Sequence, residues 1–127
     1  MPSGQTIIGE FAYDFHQAGD TVTDELLVPF GAIAPTPLVD EDVNFGTAGF
    51  ADSTVTCDGT PEAPTAPPGK VCIYALASDG SEGIDRANSI GFAAQLLPDR
   101  GFVIAITPEG VADADAYLFA SWAYTAP

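Results

Sequence analysis

Basic residues are almost missing from this chain. Its 127 residues hold one lysine, Lys70, and two arginines, Arg86 and Arg100, against 18 Asp and Glu, for a net charge of −15. A nucleic-acid partner needs rows of Lys and Arg to neutralise phosphate, so the composition argues against that class. It argues equally against an anionic membrane surface. Long apolar runs are missing too. The longest, such as residues 90–97, stop far short of the roughly 18 residues that a membrane span requires. Histidine is reduced to His16, which leaves a Ser-His-Asp constellation a single possible base. No Gly-x-Ser-x-Gly elbow is present to display a serine. With no Gly-rich phosphate loop either, the parts from which an enzyme is built are scarce, and no catalytic residue is expected.

What remains is apolar and acidic. Hydrophobic residues make up 46% of the chain, enough for a packed core, and the length suits one domain over residues 1–127. Asp outnumbers Glu 12 to 6, and dense surface carboxylate keeps a fold hydrated and self-repelling, as suits a saline habitat. Two cysteines, Cys57 and Cys72, bracket a segment with four prolines and two glycines, which excludes helix and regular strand there. A disulfide between them is expected, since closing a loop of this length stabilises a fold by about 3 kcal/mol in the chain-entropy model. Such a bond implies an oxidising, extracellular or cell-surface location. Zinc is not expected, because only His16 adds a nitrogen ligand and neither cysteine belongs to a Cys-x-x-Cys knuckle. Met1-Pro2-Ser3-Gly4 offers neither a basic start nor an apolar stretch of the secretory kind. Secretion would therefore make this chain a mature form, a fragment, or cargo of another route.

Strand signals dominate the pattern. Residues 6–15 alternate, with Ile7, Gly9, Phe11, Tyr13 and Phe15 on one side and Glu10, Asp14 and His16 on the other. A second extended run covers 21–30, with Pro29 marking it as an edge or strand end. Short strands are predicted at 39–45 and 53–57, and a clear one at 71–77. Residues 89–97 read as strand or short helix, and residues 102–107 as strand. The last run, 116–125, is apolar on both faces and reads as central between two layers. About eight strands and no convincing amphipathic helix predict an all-β, single-domain antiparallel β-sandwich with jelly-roll-like connectivity. Side-by-side pairing of the first and last strands would bring the termini together. Phe11, Phe15, Ile73, Phe102, Ile104, Leu118 and Trp122 are the expected core.

Carboxylate pairs are the one metal signal. Asp40 and Asp42, and Asp113 and Asp115, are spaced two apart, so in strands each pair shares a face. Hard oxygen donors of this kind suit calcium, with Asp79 and Asp85 flanking a second acidic loop. The EF-hand pattern is absent, and the competing reading is a solvated acidic face. Self-association is a further expectation. A small sandwich this rich in aliphatic and aromatic surface buries the excess between subunits, and its sheet edges carry almost no Lys to guard them.

Three stretches together resemble a known group. They are Ser3-Gly4-Gln5-Thr6-Ile7-Ile8-Gly9, the loop running from Cys57-Asp58-Gly59-Thr60 to Val71-Cys72-Ile73-Tyr74, and Ser121-Trp122-Ala123-Tyr124-Thr125-Ala126-Pro127. They resemble uncharacterised C-terminal domains of secreted actinobacterial proteins, some following collagen-like stalks. More loosely, a sandwich head of this kind is similar to the trimeric C1q/TNF-like heads of collagens, although no Gly-X-Y repeat occurs here. The resemblance implies an extracellular structural or adhesive role and no catalytic residue. The expected function is a non-enzymatic, self-assembling extracellular domain, most simply a trimer, that caps or builds a surface fibre or stalk and contacts a surface or glycan ligand. The alternatives are a calcium-dependent carbohydrate-binding module and a viral fibre or capsid-decoration domain.

Overall fold

The computed structural model describes the backbone of residues 1–17, 24–78, 84–93, 97–108 and 114–127; the side chains of 15–24, 77–96 and 106–116 lie outside the description. Among the described residues seven strands form: β1 (Thr6–Gln17), β2 (Asp24–Pro29), β3 (Val43–Phe45), β4 (Val71–Ser78), β5 (Ile84–Ala93), β6 (Gly101–Pro108) and β7 (Ala114–Thr125). Sheet A has the order β1-β7-β4-β3 and sheet B the order β2-β6-β5. No α-helix occurs among the described residues, and none is long and apolar enough to cross a membrane.

The alternating run at the start of the chain becomes β1. It pairs antiparallel with β7 in unbroken register, from Thr6 opposite Thr125 to Gln17 opposite Ala114. First and last strands therefore do lie side by side, and β7 is central in its sheet, between β1 and β4. The run ending at Pro29 becomes β2, an edge of sheet B. Proline lacks the N–H that a second neighbour would need, which suits it to that place.

Three expectations are corrected. The sheets are not purely antiparallel, because β3 pairs parallel to β4. The long connection 46–70 between them permits this, since parallel neighbours need a crossover of a dozen residues or more. Seven strands form among the described residues, where about eight are expected over the whole chain. The stretch 53–57 contributes only an isolated bridge from Ser53 to Phe45. The start of the predicted strand 39–45 is instead a 3-10 turn, Asp40–Asp42, because the Asp42 carboxylate accepts the Val39 N–H at 2.9 Å. A short acidic side chain that takes a nearby backbone donor competes with ladder formation in this way. Of the ambiguous segment 89–97, residues 89–93 form the later part of strand β5, which ends at Ala93, and residues 94–96 lie outside the described residues.

The two sheets share one core. Val28, Phe30, Phe102 and Ile104 come from sheet B and its flank. Val43, Phe45, Val71, Ile73, Leu118, Ala120, Trp122 and Tyr124 come from sheet A. Aromatic rings join the layers: Phe30 stacks on Tyr124 at 4.8 Å, and Phe102 meets Trp122 edge-on at 5.5 Å. Such pairs add about 0.5–1.5 kcal/mol each beyond their burial. Of the expected core, Ile73, Phe102, Ile104, Leu118 and Trp122 are buried. Phe11 packs against the core while partly exposed, and the Phe15 side chain lies outside the described residues.

Gly9 is required by this packing. A Cβ there would stand 2.5 Å from a ring carbon of Trp122, so β1 crosses the indole face only because residue 9 has no side chain.

Candidate functional site

The connection 46–70 shapes the outside of sheet A. Cys57 and Cys72 form the expected disulfide, with their Cα atoms 5.5 Å apart. Both cysteines are buried with Tyr74 in a second small core, against which Ala66 packs. The loop between them is held down by side chains of β4 and β7. The Tyr74 hydroxyl donates to the Thr65 carbonyl at 2.6 Å and accepts the Gly59 N–H at 3.0 Å. Ser121 Oγ donates to the Pro61 carbonyl at 2.8 Å. Within the loop, Thr65 Oγ1 donates to Asp58 Oδ1 at 3.2 Å. The outer faces of Cys72, Tyr74 and Ala123 are thereby removed from water.

Beyond the loop, the outer face of the same sheet is open and apolar. Ile8 is 64% exposed, Leu76 65% and Phe119 38%, and Ala12 lies directly opposite Phe119 in register. Leu76 projects from a bulge where the β4–β7 register shifts between Ala75 and Ala77. Pro61 walls this face, making a groove of about 470 Å³ with Glu10 and Ser121 as its polar groups. Tyr117 leans on Phe119 with ring centroids 5.2 Å apart. The groove borders β1, an edge strand whose twelve residues include neither Pro nor Lys.

A second hollow, of about 270 Å³, lies at the end of sheet A where both chain termini meet. Thr36, Pro37, Leu38, Asp42, Pro68, Gly69, Lys70, Tyr124 and Pro127 line it. The Lys70 ammonium pairs with Asp42 Oδ1 at 2.7 Å and donates to the Glu41 carbonyl at 3.4 Å. Tyr124 is fully buried, and its hydroxyl has no hydrogen-bond partner among the described residues. Burial, with the Asp42 carboxylate as a lesser cause, pushes its pKa above the ordinary 10.0.

The proposed calcium ligands fall in different places. Asp40 and Asp42 sit in the 3-10 turn, where Asp42 is already engaged by Lys70 and Val39. Asp115 lies on β7, opposite His16 of β1. It stands nine positions from Tyr124, the β7 residue that shares the hollow with Asp42, or roughly 30 Å of extended strand. The backbone therefore does not bring Asp42 and Asp115 together. Asp113 and Asp79 lie outside the described residues, and Asp85 is on β5. Among the described residues, no three His, Cys, Asp or Glu gather closely enough to hold a metal ion.

The three stretches that carry the resemblance converge. The Gly4 N–H donates to the Ala126 carbonyl, the Gly69 N–H to the Thr125 carbonyl, and Tyr74 is in register with Ser121. Comparison of the chain with family models, with curated proteins and with solved structures finds no match.

Proposed function

We propose that this chain is a non-enzymatic extracellular domain with a structural or adhesive role. It assembles with copies of itself, as a trimer in the simplest case, to cap or build a surface fibre or stalk. The observation that carries this reading is the open apolar face of sheet A beside an unguarded edge. Ile8, Ala12, Leu76 and Phe119 are exposed on one surface. It borders β1, which lacks the Pro and Lys that commonly prevent edge-to-edge pairing. A buried disulfide supports the extracellular location. Strand order supports a jelly-roll-like wrapping: the outermost strands of the sequence, β1 and β7, pair in sheet A, and the next pair inward, β2 and β6, pair in sheet B. The three converging stretches and their resemblance to stalk-borne secreted domains accord with the same reading.

Charge sets the condition for assembly. Copies bearing −15 each repel until salt shortens the screening length to about 10 Å near 0.1 M. The test is light scattering across a salt series, on the wild type and on Ala12→Lys and Leu76→Lys. The wild type should reach a multiple of 13.1 kDa at moderate salt, and both variants should stay monomeric with unchanged circular dichroism. The lysine reduces the net negative charge, so electrostatics alone would promote assembly; loss of assembly would identify the apolar face as its cause. A wild type that stays monomeric at every salt concentration refutes the proposal.

A further inference from the structure

We propose that the hollow at the end of sheet A binds a small, neutral, polyhydroxylated ligand about the size of one sugar ring. The inference concerns a different face from the groove and stands whether or not copies of the chain assemble.

The polar groups there are unusually arranged. A tyrosine hydroxyl both donates and accepts, and a fully buried one is ordinarily paired. Tyr124 is fully buried, lines the hollow, and finds no partner for its hydroxyl among the described residues. Its ring is fixed by the stack on Phe30, so it is held in place with its donor unspent. Beside it, Lys70 and Asp42 compensate each other's charge at 2.7 Å. Asp42 has given one oxygen to Lys70 and the other to the Val39 N–H, and each keeps a second lone pair for a ligand hydroxyl. Lys70 has three ammonium protons, with Asp42 and the Glu41 carbonyl as its acceptors. The lining side chains thus offer donors and acceptors in balance, with Lys70 and Asp42 as a charge-compensated pair.

That balance selects the ligand class. A carboxylate or phosphate would meet Asp42 and a chain of net charge −15, and an ammonium group would meet Lys70. A neutral hydroxyl both donates and accepts, so it pairs with such groups without leaving a charge unpaired. Pro37, Leu38 and Pro68 supply aliphatic walls, which suit the C–H face of a sugar ring. The hollow, about 270 Å³, is below the roughly 300 Å³ at which drug-sized pockets begin, so it takes one ring rather than a chain.

The test is a titration of isotopically labelled full-length chain, followed by amide chemical shifts. The probes are free glucose, galactose and mannose, their methyl glycosides, and glycerol. The expected result is saturable shifts at Leu38, Gly69 and Lys70, with a Kd on the order of 1–10 mM. Tyr124→Phe should weaken binding at least tenfold with unchanged thermal stability or a gain in it. Lys70→Met, at a half-exposed position, provides a second variant that folds independently of the core. Methyl glycosides binding as well as free sugars would assign the site to the terminal residue of a glycan. Free sugars alone binding would assign it to a soluble sugar. The proposal is overturned if no probe saturates, if shifts map away from the hollow, if both variants bind as the wild type does, or if EDTA abolishes binding.

Discussion

Replacing the disulfide with Cys57→Ala and Cys72→Ala should leave the fold intact and lower its stability by about 3 kcal/mol. The figure follows from the sequence separation of 15, because the bond acts mainly by shrinking the unfolded ensemble. The native loop has other anchors. Both Tyr74 hydrogen bonds and the Ser121–Pro61 bond remain, each worth about 1 kcal/mol, and Gly46 still packs against the Tyr74 ring. For a chain of this length the loss should lower Tm by roughly 10–15 °C. Urea denaturation separates the two ways in which the loss could arise. An unfolded-state effect raises the m-value, because the uncrosslinked chain exposes more surface, while Cm falls. Tyr74→Phe, made in both backgrounds, then reports the loop's native docking: its cost should be equal with and without the disulfide. A loss below about 1 kcal/mol with an unchanged m-value would refute the chain-entropy account. Complete unfolding of the double variant would show that the covalent bond, rather than the hydrogen bonds, holds the loop on the sheet.

Further outcomes follow from the same geometry. Gly9→Ala should destabilise by about 1–3 kcal/mol through overpacking against Trp122, read by urea denaturation together with a change in Trp fluorescence; a neutral effect would show that the indole has room to move. Tyr124 keeps its proton more tightly when folded, since burial and Asp42 raise its pKa. Its contribution is therefore fully present below the unfolded value near 10 and is lost as pH rises toward the folded value. Stability should fall above that pH, and Tyr124→Phe should flatten the fall, as measured by thermal scans in alkaline buffers. Asp42→Asn should cost no more than about 1 kcal/mol as an ion pair, because Lys70 keeps 38% of its side chain in water; a much larger loss would assign structural weight to the Asp42–Val39 turn. Added salt should raise the stability of the monomer, since it screens a net charge of −15.

The parts of this fold that follow a local rule could be read from the sequence. The alternation through Tyr13 marks β1, the apolar run ending at Thr125 marks a central β7, and a Pro-rich stretch between two cysteines marks a tied loop. Rules of period two report which residues share a face, and they are silent about what covers the opposite face. Ile73 is legible as core, and period-two alternation puts Val71 on the same face of β4. Cys72 and Tyr74, on the other side, are equally buried because the loop folds back over them. Local reading also failed where side chains overrode the strand pattern, as in the turn closed by Asp42 and Val39. Parallel pairing of β3 with β4 is set by a connection whose path no local pattern encodes.

The candidate sites were less legible for the same reason. The acidic residues drew attention as metal ligands because carboxylates two apart look paired in a strand. In the fold Asp42 pairs with Lys70, 28 positions away, a partner that no local spacing indicates. What makes the hollow distinctive is Tyr124, which in sequence is one more aromatic in an apolar run. Its unpaired hydroxyl arises only when β7 brings that ring under Phe30 and beside the turn of Asp42. In the groove, likewise, Phe119 and Leu76 look like core residues until the bulge in β4 and the reach of the proline loop decide which outer side chains are covered. The loop ends its cover at Pro61 and Ser121. Lengthening or shortening it would therefore change the exposed area of sheet A without touching the core, which makes the disulfide loop the element that sets how much of that face is available for contact.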